Sequence, residues 1–126
     1  MSEQAATTGA SAEAIRAHYD VGNDFYRLWL DETMTYSSAL WRDENDTSSL
    51  ADAQRRKIEW HLQNAGADRS PSLLDIGCGW GGMLRAAVAN RAPGAPPLSR
   101  GVGLTLSDAQ AELARAALRE AGSPPV

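Results

Sequence analysis

The chain has 126 residues, 43% of them hydrophobic, which is the size and composition of one globular domain with a modest core. Its 16 acidic side chains against 12 Lys and Arg leave a net charge of -4, so no basic surface is available to neutralise the phosphates of a nucleic acid. The single cysteine and two histidines exclude an internal disulfide and a metal-ligand cluster, and the start, MSEQAATTGASAEA, lacks the charged and apolar regions of a secretion signal. No stretch approaches the roughly 18 apolar residues of a membrane span, so a soluble, cytoplasmic protein is expected.

Residues 1–10 are small and polar and read as a disordered tail. Ser11 can cap a short helix that carries Ala12, Ile15 and Tyr19 at helical spacing, with His18 on the same side as a packing histidine. A second short helix follows in GNDFYRLWLD, with Asn23 as its N-cap and Phe25, Leu28 and Trp29 on one face. ETMTYSSALW alternates too poorly for a strand, and the charges of LDE and RDEND read as solvated turns. A helix of about 15 residues then begins near Leu50, with Ala53, Gln54, Lys57, Ile58 and Leu62 along one side and Gly66 closing it as the C′ residue. The stem of Lys57 lies along that stripe, and His61 falls on its solvated rim. Residues 11–70 thus form a helical cap segment.

From residue 71 the pattern becomes strand, turn, helix, strand, helix. SLLDIG is a short apolar strand, and GGMLRAAVAN a helix with Met83, Leu84, Ala87 and Val88 inward. The Pro-rich connection RAPGAPPLSR leads to GVGLTL, whose continuous apolar character suits a parallel strand covered on both faces. The last helix starts at Ser107, which forms a capping box with Gln110, and ends at Gly122 before Pro124 and Pro125. This βαβα unit, 71–126, is the first half of a doubly wound α/β fold.

LLDIGCGWGG ends a strand in Gly-x-Gly and runs directly into a helix, aiming backbone N–H groups and the positive end of a helix dipole at one spot. Gly77 and Gly79 let a ligand approach the backbone, while Gly81 and Gly82 serve the turn and close helix packing. The spacing fits two patterns, the dinucleotide form through Gly77, Gly79 and Gly82 and the S-adenosylmethionine form through Gly77, Gly79 and Gly81. Asp75 favours the second, because a carboxylate there suits the amino group of a methionine and repels a pyrophosphate. Thr105, Ser107 and Gln110, at the tip of the second strand, can hydrogen-bond a ribose. An NAD-dependent oxidoreductase is the outside alternative. Cys78 reads as a small structural side chain between glycines, and Trp80 as a flank of the ligand or a cover for the turn.

In this order, HYDVGNDFYRLWLDETMTYSSALW, LLDIGCGWGG and GLTLSDAQ resemble the cyclopropane-fatty-acid synthase family, which includes the mycolic acid cyclopropane synthases. The resemblance spans about His18 to Glu120. It implies an α/β, Rossmann-like class I methyltransferase fold, incomplete here, with the helical cap segment ahead of it. It also implies S-adenosyl-L-methionine as cofactor, held by Tyr36 and Ser37, by the turn residues Leu74, Asp75, Gly77, Cys78, Gly79, Trp80 and Gly81, and by Thr105, Leu106, Ser107 and Gln110. The implied reaction is methyl transfer to the cis double bond of an unsaturated fatty acyl lipid, with peripheral membrane contact. In the complete enzyme a bound bicarbonate removes the proton that closes the ring.

Two features depart from the family pattern. Ser38 stands where ring-forming members carry Cys beside the bicarbonate, which leaves simple methylation, of a lipid or of a small molecule, as an open alternative. The connection from Arg91 to Arg100 is longer than usual, on the side away from the cofactor, where little effect on binding is expected. The family's later strands, which carry the acyl tunnel, lie outside these 126 residues. The edge of the first strand is therefore expected to be unpaired and apolar, and the chain alone to be marginally folded and inactive: a fragment, or one half of a split enzyme whose C-terminal half is a separate chain.

Overall fold

A computed structural model of the chain describes residues 22–120, together with Ser11, Glu13 and Ala14. The Ser11 hydroxyl accepts a hydrogen bond from the Ala14 N–H at 3.1 Å, as a helix cap does. The expectations for the tail, for Ile15, His18 and Tyr19, and for the helix end at Gly122 lie outside the described residues. The described elements are α1 (Asn23–Arg27), α2 (Leu50–Asn64), β1 (Ser72–Ile76), α3 (Gly82–Ala89), β2 (Arg100–Leu104) and α4 (Asp108–Glu120).

α1 is a single turn, and its inward residue is Tyr26 rather than Phe25, Leu28 or Trp29, all of which stay exposed. Tyr26 lies 4.8 Å, centroid to centroid, from Trp80 of the glycine turn, an aromatic contact of long sequence range that no local periodicity encodes. Asn23 is not the N-cap. Gly22 takes that place, and the Asn23 side chain instead accepts from the Trp80 indole N–H at 2.7 Å and donates to the Ala109 carbonyl at 3.4 Å.

α2 has the predicted fifteen residues. Ser49 caps it by accepting from the Asp52 N–H, and Ala53, Gln54, Ile58 and Leu62 are buried, although Leu50 is exposed. At its end the Gly66 N–H bonds the Gln63 carbonyl and the Ala67 N–H bonds that of Leu62, a Schellman closure that requires the left-handed φ of +66° at Gly66. The acids ahead of α2 are not merely solvated. Asp31 accepts from the Thr33 N–H and hydroxyl, at 3.0 and 2.9 Å. Asp46 gathers the N–H groups of Arg42 and Ser48 and the Arg56 guanidinium, each at 2.9 Å, so a segment without regular structure gains fixed turns.

β1 and β2 pair in parallel with Leu74 opposite Val102. One face of this sheet packs on α3, where Gly101 and Gly103 admit Leu84 so closely that a Cβ on Gly103 would lie 2.9 Å from its Cδ1. α2 and α3 enclose a core of Ile58, Leu62, Ala67 and Ala87, joined by Leu98 from the Pro-rich connection. Arg91 holds that connection in place by donating to the carbonyls of Ala67, Ser70 and Pro96. The expectation that β2 is covered on both faces is corrected: the other face of the sheet carries Leu74, Ile76 and Leu104 at 56%, 77% and 51% exposure. Among the described residues β1 has β2 as its only strand neighbour, so its second edge is unpaired.

Candidate cofactor site

The C-terminal ends of β1 and β2 open into a cavity of about 710 Å³, roofed by the segment around Tyr36 and walled by α2. Its floor is the glycine turn. Gly77, Gly79 and Gly81 have φ of +79°, +53° and +84°, left-handed values that strain a residue carrying a Cβ. A Cβ built on Gly77 or Gly79 meets nothing within 4 Å, whereas one on Gly81 would lie 3.0 Å from the Ala114 Cβ and one on Gly82 2.7 Å from the Thr33 oxygen. The first two glycines thus face the cavity, and the last two let α4 and the Thr33 segment close on the turn. The N–H groups of Gly77 and Cys78 both bond the Leu104 carbonyl, at 2.8 and 2.9 Å. Contrary to the sequence expectation, these two donors are spent on joining the turn to β2 and do not point at a ligand.

Asp75 borders the cavity at the end of β1, half-buried, and its carboxyl has neither a hydrogen bond nor an ion pair among the described residues. Burial pushes its carboxyl above the usual carboxylate range. The Cys78 thiol is also pushed up, by burial first and by the nearby Asp75 charge second, which keeps it a thiol rather than a reactive thiolate. Its sulfur lies only 2.7 Å from where a Cβ on Gly103 would stand, so the close approach depends on that glycine.

At the tip of β2 the Thr105 hydroxyl donates to Gln110 Oε1 at 2.6 Å and accepts from the Ser107 N–H at 3.2 Å. Ser107 Oγ accepts from the Gln110 N–H at 3.3 Å, so the serine half of the capping box forms. The glutamine half does not, because Oε1 is turned to Thr105. Thr105, Leu106 and Gln110 border the cavity.

The roof is an irregular segment fixed by side-chain donors. Gln54 Nε2 donates to the Ser37 carbonyl at 2.7 Å, the Lys57 ammonium to Ser37 Oγ at 2.7 Å, and the Arg85 guanidinium to the Thr33 carbonyl at 3.0 Å. The Tyr36 ring packs on Trp29 and Tyr26, at 5.0 and 5.6 Å, which joins the roof to α1. Trp80 is 1% exposed and binds that cluster to the turn, so its ring is a cover for the turn.

Of the residues singled out in the sequence, Tyr36, Ser37, Asp75, Gly77, Cys78, Gly79, Trp80, Thr105, Leu106 and Gln110 come together at the cavity. Leu74, Gly81 and Ser107 do not. Leu74 projects from the bare face of the sheet, Gly81 is buried against α4, and Ser107 is 1% exposed beneath the helix start. Ser38 is exposed and lies outside the cavity wall. The sequence reading missed Met34, Met83, Lys57 and His61, which also border it. Lys57 and His61 are four residues apart on α2, so each sits one turn from the other on the same face; that spacing was visible, but not which face the cavity would take.

A profile of the family described as "Mycolic acid cyclopropane synthetase" matches residues 6–125. "Cyclopropane mycolic acid synthase 2" of Mycobacterium tuberculosis is 39% identical over 98% of this chain and 40% of its own length. The solved structure of the cyclopropane synthase MmaA2 from Mycobacterium tuberculosis superposes with a TM-score of 0.76 at 38% identity, over 94% of this chain and 39% of that one. The mycolic acid cyclopropane synthase CmaA1, complexed with SAH and CTAB, gives 0.73 at 38% identity, over 89% and 36%. The chain therefore spans about 40% of the length of the relatives it matches. These neighbours have the methyltransferase fold expected from the sequence.

Proposed function

Because the chain belongs to the mycolic acid cyclopropane synthetase family, we propose that it forms the cofactor-binding part of an S-adenosyl-L-methionine-dependent methyltransferase acting on the cis double bond of an unsaturated fatty acyl lipid. The observation that supports this most directly is the open backbone at Gly77 and Gly79 beside a carboxyl, Asp75, that has no partner among the described residues. A positively charged amino group on the ligand would supply that partner, and the glycines leave room for the chain that carries it. When bound, the cofactor supplies an electrophilic methyl group. Asp75 orients its amino-acid end, Thr105 and Gln110 offer hydroxyl and amide groups to the ribose, and Tyr36 with Ser37 closes the roof over it.

SAH is the demethylated product of this cofactor, and a relative of similar structure binds it together with CTAB, a long-chain amphiphile. That pairing supports a lipid acyl substrate. It also suits a protein that works in the cytoplasm and touches the membrane surface peripherally; no helix among the described residues is long and apolar enough to cross a membrane. Ser38 keeps simple methylation beside ring closure, because a serine hydroxyl can donate to a bicarbonate but is not the Cys of ring-forming members.

The bare face of Leu74, Ile76 and Leu104 supports one addition. Further polypeptide, corresponding to the length of the relatives that this chain does not span, covers it and completes the substrate side, in continuation or as a separate chain. The 126 residues alone are then expected to bind cofactor without methylating an acyl chain. Thermal unfolding with S-adenosylmethionine and with NAD tests the reading: stabilisation by the first and not the second is expected, and preference for NAD would overturn it.

A further inference from the structure

Two side chains of opposite charge face the cavity, and neither has an ion-pair partner among the described residues: Asp75 at the end of β1 and Lys57 in the middle of α2. Lys57 extends along the roof and gives one of its three ammonium protons to Ser37 Oγ at 2.7 Å. Ser37 is itself fixed through its carbonyl by Gln54, which is 3% exposed, so the ammonium is held at a defined place in the wall. Both charged forms carry a cost from burial. The Lys57 ammonium is pushed down from its usual range by it, with only a weaker opposing attraction from Asp31, and the Asp75 carboxyl is pushed up. A half-buried charge with no ion-pair partner gains from a ligand that brings an opposite charge to it.

A molecule lying between them and carrying one positive and one negative group would satisfy both at once, and an α-amino acid zwitterion is such a molecule. We propose that Lys57, steadied by Ser37, binds the α-carboxylate of the cofactor's methionine moiety while Asp75 receives its α-amino group. This rests on the reading that the cavity holds S-adenosylmethionine. It differs from a purely structural part for Lys57, a strut under the roof, in what it predicts about the ligand: the strut is indifferent to the carboxylate.

The test is calorimetric titration of the 126-residue chain with S-adenosylmethionine, its decarboxylated form, and 5′-methylthioadenosine, which lacks the amino acid altogether. The wild type is expected to bind the carboxylated cofactor about 10- to 100-fold more tightly than the decarboxylated one, the range of a charge-assisted hydrogen bond. Lys57→Met should erase that preference and leave 5′-methylthioadenosine unchanged, and Lys57→Gln, which keeps a donor toward Ser37, should do the same if the methionine variant does not fold. Equal wild-type affinity for the two cofactor forms overturns the inference, as does a preference that survives both variants. A loss of 5′-methylthioadenosine binding equal to the loss of cofactor binding assigns Lys57 to the strut and also overturns it. If the wild type binds none of the three, the cofactor reading itself fails, which is a distinct result.

Discussion

The α-carbon of Gly82, first residue of α3, lies so near the Thr33 carbonyl that a Cβ on it would stand 2.7 Å from that oxygen. The same oxygen accepts from the Arg85 guanidinium at 3.0 Å, one turn further along α3. The irregular segment that roofs the cavity is therefore seated directly on the helix that follows the glycine turn. Gly82→Ala puts a methyl group against backbone rather than a flexible side chain. A loss of about 1–3 kcal/mol is expected from such overpacking, with weakened cofactor binding because the roof is displaced. Chemical denaturation and ligand titration of the variant measure the two effects separately.

Gly79 has the opposite surroundings, since nothing lies within 4 Å of a Cβ there, yet its φ is +53°. Gly79→Val should cost about 1–3 kcal/mol of stability through backbone strain and abolish cofactor binding by filling the open space. Cys78→Ala, which removes a packing sulfur against Gly103, should leave binding nearly unchanged. Equal affinity of wild type and Gly79→Val would show that the turn is not the binding surface.

Asp75 gives a pH signature. Its carboxyl titrates higher in the folded state than in the unfolded chain, where the value is about 3.9, so the folded protein holds the proton more tightly. Stability is then highest below that unfolded value and falls as pH rises through the folded one. Asp75→Asn should flatten this slope and raise the neutral-pH stability of the unliganded protein while reducing its stabilisation by S-adenosylmethionine. Denaturation curves at several pH values, with and without cofactor, report both signs.

Asp46 behaves in the other direction. Its bonds from Ser48, Arg42 and Arg56 hold the carboxyl far below the ordinary range, so its contribution is fully present above the unfolded value of about 3.9 and disappears as the pH falls through the lower, folded one. The turn at 42–48 should loosen only in strong acid in the wild type, and already at neutral pH in Asp46→Ala. Amide hydrogen exchange at Ser48 is the direct measurement.

Trp80 and Asn23 hold the first helix to the turn. Trp80→Phe keeps the ring contact with Tyr26 but leaves Asn23 Oδ1 without its 2.7 Å donor, and a cost of about 1–3 kcal/mol is expected for that unsatisfied group. Thermal unfolding by tryptophan fluorescence of the remaining indoles follows it.

The parts legible from sequence are those governed by neighbours along the chain. The length of α2 and its closure at Gly66 follow from a repeat of 3.6 residues and one left-handed position, and the strand, glycine turn and helix from an apolar run broken by residues that tolerate positive φ. Asp75, Thr105 and Gln110 could be named because they flank those signals directly. The inward residue of α1 could not, because Tyr26 is selected by Trp80, more than fifty positions away. Asn23 was misread for the same reason: a distant indole N–H captured an oxygen that locally suits a cap.

The amino-acid sequence by itself determined the elements, the glycine turn and the family likeness, since each depends on spacing within a few residues or on motifs in fixed order. Tertiary structure alone decided which of those residues share a cavity. Packing turned Gly81 toward Ala114, left Leu74 on a bare sheet face, and brought Lys57 across from α2 to Ser37, twenty residues away. A side chain's direction depends on how helices and strands are packed together, and neither composition nor periodicity carries that information.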